Sequence, residues 1–390
     1  MLPIIVIVGF FTLFICSYTM TKSFVHPAVI VSLLWGIILL IYQTVNHDLF
    51  PLSERFFRMI FLWVSLFCIA SLSLYKIKIN FPRWIWASVP NPHLLRFLFP
   101  FLTLATIYNI YRLYTISEGS SFYNIMQEIE LPLDLQILAY VDKVSLLLCL
   151  CMLLFKTPFK KYEIILFTLL LFTGYALVSV KTVFCQLLFA FFFTLYYLRK
   201  LTLRRVLTVV GGFTVLIVGI QMFRGNYIEQ GKEFKASDFL LLYALSPLPA
   251  CDMVLNHEVN YQKGKTLRFF DAIAAKAGIA EPPQGDGEDL WVKVPIPTNA
   301  YTVMFKFYND YGQWGVGFFS VILGLFLGIL YKGVQYGCAY FILLYAVLFY
   351  TLPFQFFADF IFTFFSVTLQ IVIIASLFFV RFRFKITQLQ

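Results

Sequence analysis

Within the long polar stretch between Arg224 and Tyr311, His257 and Glu258 form the only neighbouring histidine–carboxylate pair. Histidine is the side chain best poised to move protons near neutral pH, so this pair is a candidate acid–base centre; the bland alternative is a solvated surface histidine. Asp310 stands in Tyr308-Asn309-Asp310-Tyr311-Gly312, where a carboxylate flanked by aromatic rings could face a sugar or could simply start a helix. Trp291, Tyr301 and Trp314 offer ring faces for stacking, although the commoner use of such residues here is an interfacial belt. Other charges lie inside or at the ends of apolar runs: Arg112, Asp142, Lys143, Lys181, Arg224 and Asp359. Such residues cost roughly 2.5–3.5 kcal/mol each on insertion scales and are functional candidates by default.

The elements that must position these groups follow from composition. Of 390 residues, 61% are apolar and only 13% charged, with 47 phenylalanines, so the chain is neither a pair of soluble domains nor a disordered or disulfide-built one. Runs long enough to cross a membrane occur near 2–20, 25–45, 57–75, 94–116, 136–155, 162–180, 182–198, 206–223, 312–331, 335–352 and 356–380. The fold expected is an all-α polytopic membrane protein with about 11 transmembrane helices and one large extracytoplasmic loop. Its parts are a bundle over 1–223, the loop over 224–311, and a second bundle with a cytoplasmic tail over 312–390. The first run lacks a charged leader region and a cleavage site, so it reads as a retained helix. Within the loop, the apolar segment 238–255 is broken by Pro247 and Pro249 and reads as lying on the membrane or re-entering it. Residues 266–278 read as a short amphipathic helix closed by Gly278, and 281–298 as an irregular lid. Gly324 and Gly328 form a G-x-x-x-G pair suited to close helix packing.

One set of alternate connections holds 15 Lys and Arg and the other, leaving out the long loop, holds three. The positive-inside rule then puts the amino terminus outside and the carboxyl terminus in the cytoplasm. The net charge of +10 is therefore a topology signal and gives no support to nucleic-acid binding. The seven cysteines contain no C-x-x-C pair and the four histidines are scattered, so no metal site is expected. Gly264-Lys265-Thr266 resembles the end of a phosphate-binding loop, but Val259 stands where that loop needs glycine. In this topology the in-span charges gather at the outer leaflet, a pattern suited to an anion, for which Arg offers a planar fork and Lys a point charge. Arg112 could instead pair with an acid of the 117–135 connection, Lys181 could snorkel, and Asp142 and Lys143 could belong to a structural polar network.

The stretch Pro297-Thr298-Asn299-Ala300-Tyr301-Thr302, continuing to Tyr308-Asn309-Asp310-Tyr311-Gly312 and Gly315-Val316-Gly317, resembles the signature closing the large loop of Wzy-type O-antigen polymerases. Val178-Ser179-Val180-Lys181-Thr182 and Gly264-Lys265-Thr266-Leu267 are similar to two further pieces of that family, with Lys181 in place of the common Arg. The resemblance implies an inverting glycosyl transfer at the outer face of a bacterial inner membrane, in lipopolysaccharide or related surface polysaccharide biosynthesis. A glycan on undecaprenyl pyrophosphate would move to a hydroxyl of the next lipid-linked repeat unit. The pyrophosphate-binding candidates are Arg224, Lys181, Arg112 and Lys143, and the catalytic candidates are Asp310, His257 and Glu258. The glycan-binding candidates are Asn299, Tyr301, Tyr308, Tyr311, Asp142 and Trp291. Neither cofactor nor metal is expected; the partners are the lipid-linked oligosaccharide, membrane lipids and, in this family, a chain-length regulator. Two rivals remain open: an O-antigen ligase, which shares the layout, and a lipid-linked oligosaccharide flippase or transporter.

Overall fold

The computed structural model describes residues 1–81, 89–117, 133–155, 157–178, 181–202, 204, 211, 244–259, 264, 266–281, 291–295 and 297–380. Its helices are α1 (Leu2–Thr21), α2 (Pro27–Thr44), α3 (Glu54–Ser73), α4 (Pro92–Ser117), α5 (Leu133–Leu154), α6 (Lys161–Val178) and α7 (Lys181–Tyr197). They continue with α8 (Pro247–Leu255), α9 (Arg268–Lys276), α10 (Phe305–Gln335), α11 (Ala339–Leu348) and α12 (Phe365–Leu377). A two-residue hairpin pairs β1 (Val292–Lys293) with β2 (Pro297–Thr298) antiparallel, Val292 opposite Thr298. Among the described residues six helices, α1 to α5 and α10, are long and apolar enough to cross a membrane. The expected span at 206–223 lies almost wholly outside the described residues.

The chain divides into two compact units. The first holds 1–79, 227–332 and 350–368, and the second holds 80–226, 333–349 and 369–390.

In the first unit, α2 and α3 start at side-chain caps: the His26 ring accepts from the Ala28 amide with Pro27 following, and Ser53 Oγ accepts from the Phe56 amide. The core is aromatic. Trp63 is fully buried, stacks on Phe307 with ring centroids 5.5 Å apart, and donates its indole N–H to Gln355 Oε1 at 3.0 Å. The Gly324–Gly328 pair acts as its spacing suggests. A Cβ on Gly324 would lie 2.5 Å from the Phe67 carbonyl oxygen, and one on Gly328 would lie 3.1 Å from Ser71 Cα, so α10 rests directly on the backbone of α3. Within α10 the chain kinks at Gly312, whose φ of 62° is open to glycine at no steric cost.

The described part of 238–255 holds α8, nine residues with a length of about 14 Å. One expectation is corrected here. Residues 335–352 and 356–380, expected as two full spans, instead hold helices of 10 and 13 residues separated by a 3-10 turn (Phe349–Thr351) and irregular chain. The cause is local. Pro353 supplies no amide donor, and Asp359, expected to open a helix, turns its carboxylate onto the amides of Ile361, Phe362 and Thr363. Those amides are thus taken up in a turn before α12 begins. Buried Lys306 adds a bond from Nζ to Thr363 Oγ1 at 3.3 Å.

The second unit contains α4 to α7 and α11. Arg96 of α4 pairs with Glu163 of α6 at 2.8 Å, and the amide of Lys160 donates to the same carboxylate. Pro100 sits inside α4, a position that transmembrane helices tolerate better than exposed ones.

Candidate functional site

In the first unit a polar arrangement surrounds the carboxyl end of α8. Asp252, buried, accepts from both the amide (2.6 Å) and hydroxyl (2.5 Å) of Ser53 and from Asn256 Nδ2 at 3.2 Å. Ser53 caps α3, so a single carboxylate ties α8 to the start of a helix that lies about 200 residues away in sequence. Burial pushes the Asp252 carboxyl above the ordinary carboxylate value, against the opposing pull of the Ser53 bonds and the nearby Arg55 charge.

Helix α8 then ends in a paired-bond cap. The His257 amide returns to the Val254 carbonyl at 3.1 Å and the Glu258 amide to the Met253 carbonyl at 2.9 Å. This is a Schellman motif, and its left-handed residue is usually glycine. Here it is His257, with φ of 59° and an exposed side chain. The Leu255 carbonyl beside it accepts twice, from Arg55 Nη1 at 2.7 Å and from the Tyr308 hydroxyl at 3.3 Å. The Tyr308 ring lies 6.3 Å from the His257 ring.

Asp310, two residues beyond Tyr308, accepts from the amides of Gly264 (2.9 Å) and Thr266 (2.8 Å). One carboxylate therefore joins Gly264-Lys265-Thr266 to Tyr308-Asn309-Asp310-Tyr311-Gly312. Asn309 Nδ2 also donates to it at 3.2 Å. Just beyond, a Cβ on Gly315 would lie 2.2 Å from the Phe307 carbonyl, so the kinked start of α10 closes on itself. Helix α9 follows the anchored loop as expected from sequence and ends at Gly278, φ 71°. Phe269 and Phe270 set it against Phe365, with centroids 5.3 and 5.0 Å apart.

The second unit treats its charges differently. Arg112 Nε pairs with Asp134 at 2.6 Å, which realises the bland reading of that arginine. Asp142 accepts from Asn109 Nδ2 at 2.9 Å. Lys143 donates to Gln370 Oε1 at 2.8 Å and lies over the Tyr140 ring, 4.6 Å from its centroid. Arg112 and Lys143, expected as anion ligands, are thus partnered residues in the structure. Lys181 opens α7, its side chain lying outside the described residues, and Arg224 is outside them altogether.

No family model, curated protein or solved structure matches the chain.

Of the remaining aromatic candidates, Trp291 and Tyr311 are exposed beside the hairpin and along α10. Asn299 is exposed. Tyr301, expected to bind glycan, is buried and stacked on Phe305 with centroids 4.2 Å apart, so it contributes to the core. Among the described residues, no group of three or more His, Cys, Asp or Glu gathers closely enough to hold a metal ion. Sequence reasoning missed Ser53, Asp252 and Arg55 as parts of this arrangement. Arg55 entered only as a topology charge, and the usable signal for α8 was a helix end whose left-handed position carries histidine in place of glycine.

Proposed function

We propose that this chain polymerises lipid-linked oligosaccharide repeat units, transferring a glycan from undecaprenyl pyrophosphate to a hydroxyl of the next lipid-linked unit. The observation that carries the reading is the Asp310 junction. Two stretches resembling pieces of the polymerase signature, 46 residues apart, meet through its carboxylate within the same unit as His257 and Tyr308. In this reading the bond from the anomeric carbon to the pyrophosphate oxygen breaks as the acceptor oxygen attacks from the opposite face. The acceptor proton passes to an imidazole nitrogen of His257, and the pyrophosphate leaves as an anion held by fixed cations. Asp310 becomes a positioning residue because its oxygens are already engaged by backbone amides. No metal is required by this scheme. In this reading the membrane is a bacterial inner membrane, and the charge count supports a large loop outside and a carboxyl terminus in the cytoplasm.

The test is a gel of surface glycan from a strain lacking the gene, complemented with wild type. Collapse of the ladder to single-unit glycan on deletion, with recovery on complementation, is the expected result. Loss of all core-linked glycan would instead fit a ligase or flippase, and an unchanged ladder would overturn the reading.

A further inference from the structure

We infer that Arg55 is a further residue of this site, a cation that holds an anionic oxygen of the lipid pyrophosphate beside His257. The inference rests on the proposed function. Of the cations expected to do this work, Arg112 and Lys143 are engaged with Asp134 and Gln370. Arg55 is held to the site differently. Its Nη1 donates to a carbonyl oxygen, that of Leu255, two residues from His257; the Asp252 carboxylate feels its charge, but the residue is exposed. A guanidinium carries five N–H donors, and this bond uses one of them. The contact with the end of α8 also satisfies a helix-terminal carbonyl, so the side chain is oriented before any ligand arrives and its fork need not be ordered on binding. The neighbour one turn on, Arg58, contrasts with it: that residue is exposed and paired with Glu54 at 2.9 Å.

A purely structural Arg55 would only clamp Leu255, a task it shares with the Tyr308 hydroxyl. The two roles separate in binding measurements on the purified full chain in nanodiscs. Geranylgeranyl pyrophosphate serves as probe and geranylgeraniol as its uncharged control. Wild type is expected to bind the pyrophosphate and to melt at a higher temperature with it, and to respond much less to the alcohol. Arg55→Gln is expected to bind about ten- to a hundredfold more weakly, the loss expected for a hydrogen bond to a charged group, with Arg55→Lys falling between. Wild-type affinity in Arg55→Gln would overturn the assignment of Arg55 and leave the proposed function standing. A wild-type chain that ignores the pyrophosphate would overturn the donor reading and Arg55 together. Chemical protection on the unmutated chain gives the same answer should the variant fail to fold. The probe is expected to shield Arg55 from phenylglyoxal while Arg58 stays reactive, and equal modification of Arg55 with and without probe would overturn the inference.

Discussion

The candidate charges of the two units are held in different ways. In the second, side chain meets side chain: Arg112 with Asp134, Asp142 with Asn109, Lys143 with Gln370. Each charge spends its capacity on a neighbour, as polar groups within apolar helices must. In the first, charged groups are fixed through the backbone. Arg55 grips the Leu255 carbonyl, Asp310 grips the amides of Gly264 and Thr266, and His257 is set by two main-chain bonds that leave its ring exposed. Backbone anchoring fixes a group's position while leaving donors or a ring nitrogen unspent. On the proposed function, charge oriented by main chain and left open is a better guide to chemistry than charge inside a span.

The largest expected effect that sharpens this contrast comes from His257→Gly. Glycine suits the left-handed position at least as well, so the variant should melt at or slightly above the wild-type temperature, a gain of up to about 1 kcal/mol. Chain extension should nevertheless be lost, and retention of long chains on a glycan gel would reduce His257 to a helix terminator. Asp310→Ala comes next. It removes the acceptor for two amides, so chain extension should fall at least about tenfold, and hydrogen exchange at Gly264 and Thr266 should accelerate. Unchanged exchange there would show that the junction is dispensable.

Asp252→Ala breaks the tie between α8 and the cap of α3. Leaving the Ser53 amide without its acceptor should cost about 1–3 kcal/mol, seen as a lower melting temperature in detergent. The smallest effect belongs to the second unit. The Arg112–Asp134 pair is about a third exposed, with side-chain accessibilities of 30% and 32%, so removing it as Arg112→Gln with Asp134→Asn should leave the melting temperature almost unchanged. The same double variant should extend glycan within about twofold of wild type, a margin close to 0.4 kcal/mol. A severe defect in a stable double variant would return Arg112 to the site.

Much of the fold is legible from hydropathy alone, because a helix such as α2 or α5 is an apolar run of the right length whatever its neighbours do. The same holds for Gly278, which closes α9, and for the small residues Gly324 and Gly328, which let α10 approach α3. The break between α11 and α12 is not legible. Residues 349–365 hold eight phenylalanines and average as membrane-like, while the interruption depends on where one aspartate turns its oxygens. The site divides in the same way. His257, Asp310 and Tyr308 are conspicuous by type and setting, but Ser53 with Asp252 and Arg55 with Leu255 join positions about 200 residues apart, where no spacing rule applies. Charge count alone placed the expected anion site on cations of the second unit, since it cannot say which cation already has an acid beside it.

The most direct test of the central claim, that the chemistry resides at the end of α8, compares two complemented strains on one glycan gel. One carries His257→Gly and the other the Arg112→Gln, Asp134→Asn pair, each chain shown to be inserted at wild-type level. A single-unit band from the first and a full ladder from the second is the predicted result. A full ladder from His257→Gly together with a single-unit band from the pair would contradict the account and move the site to the second unit.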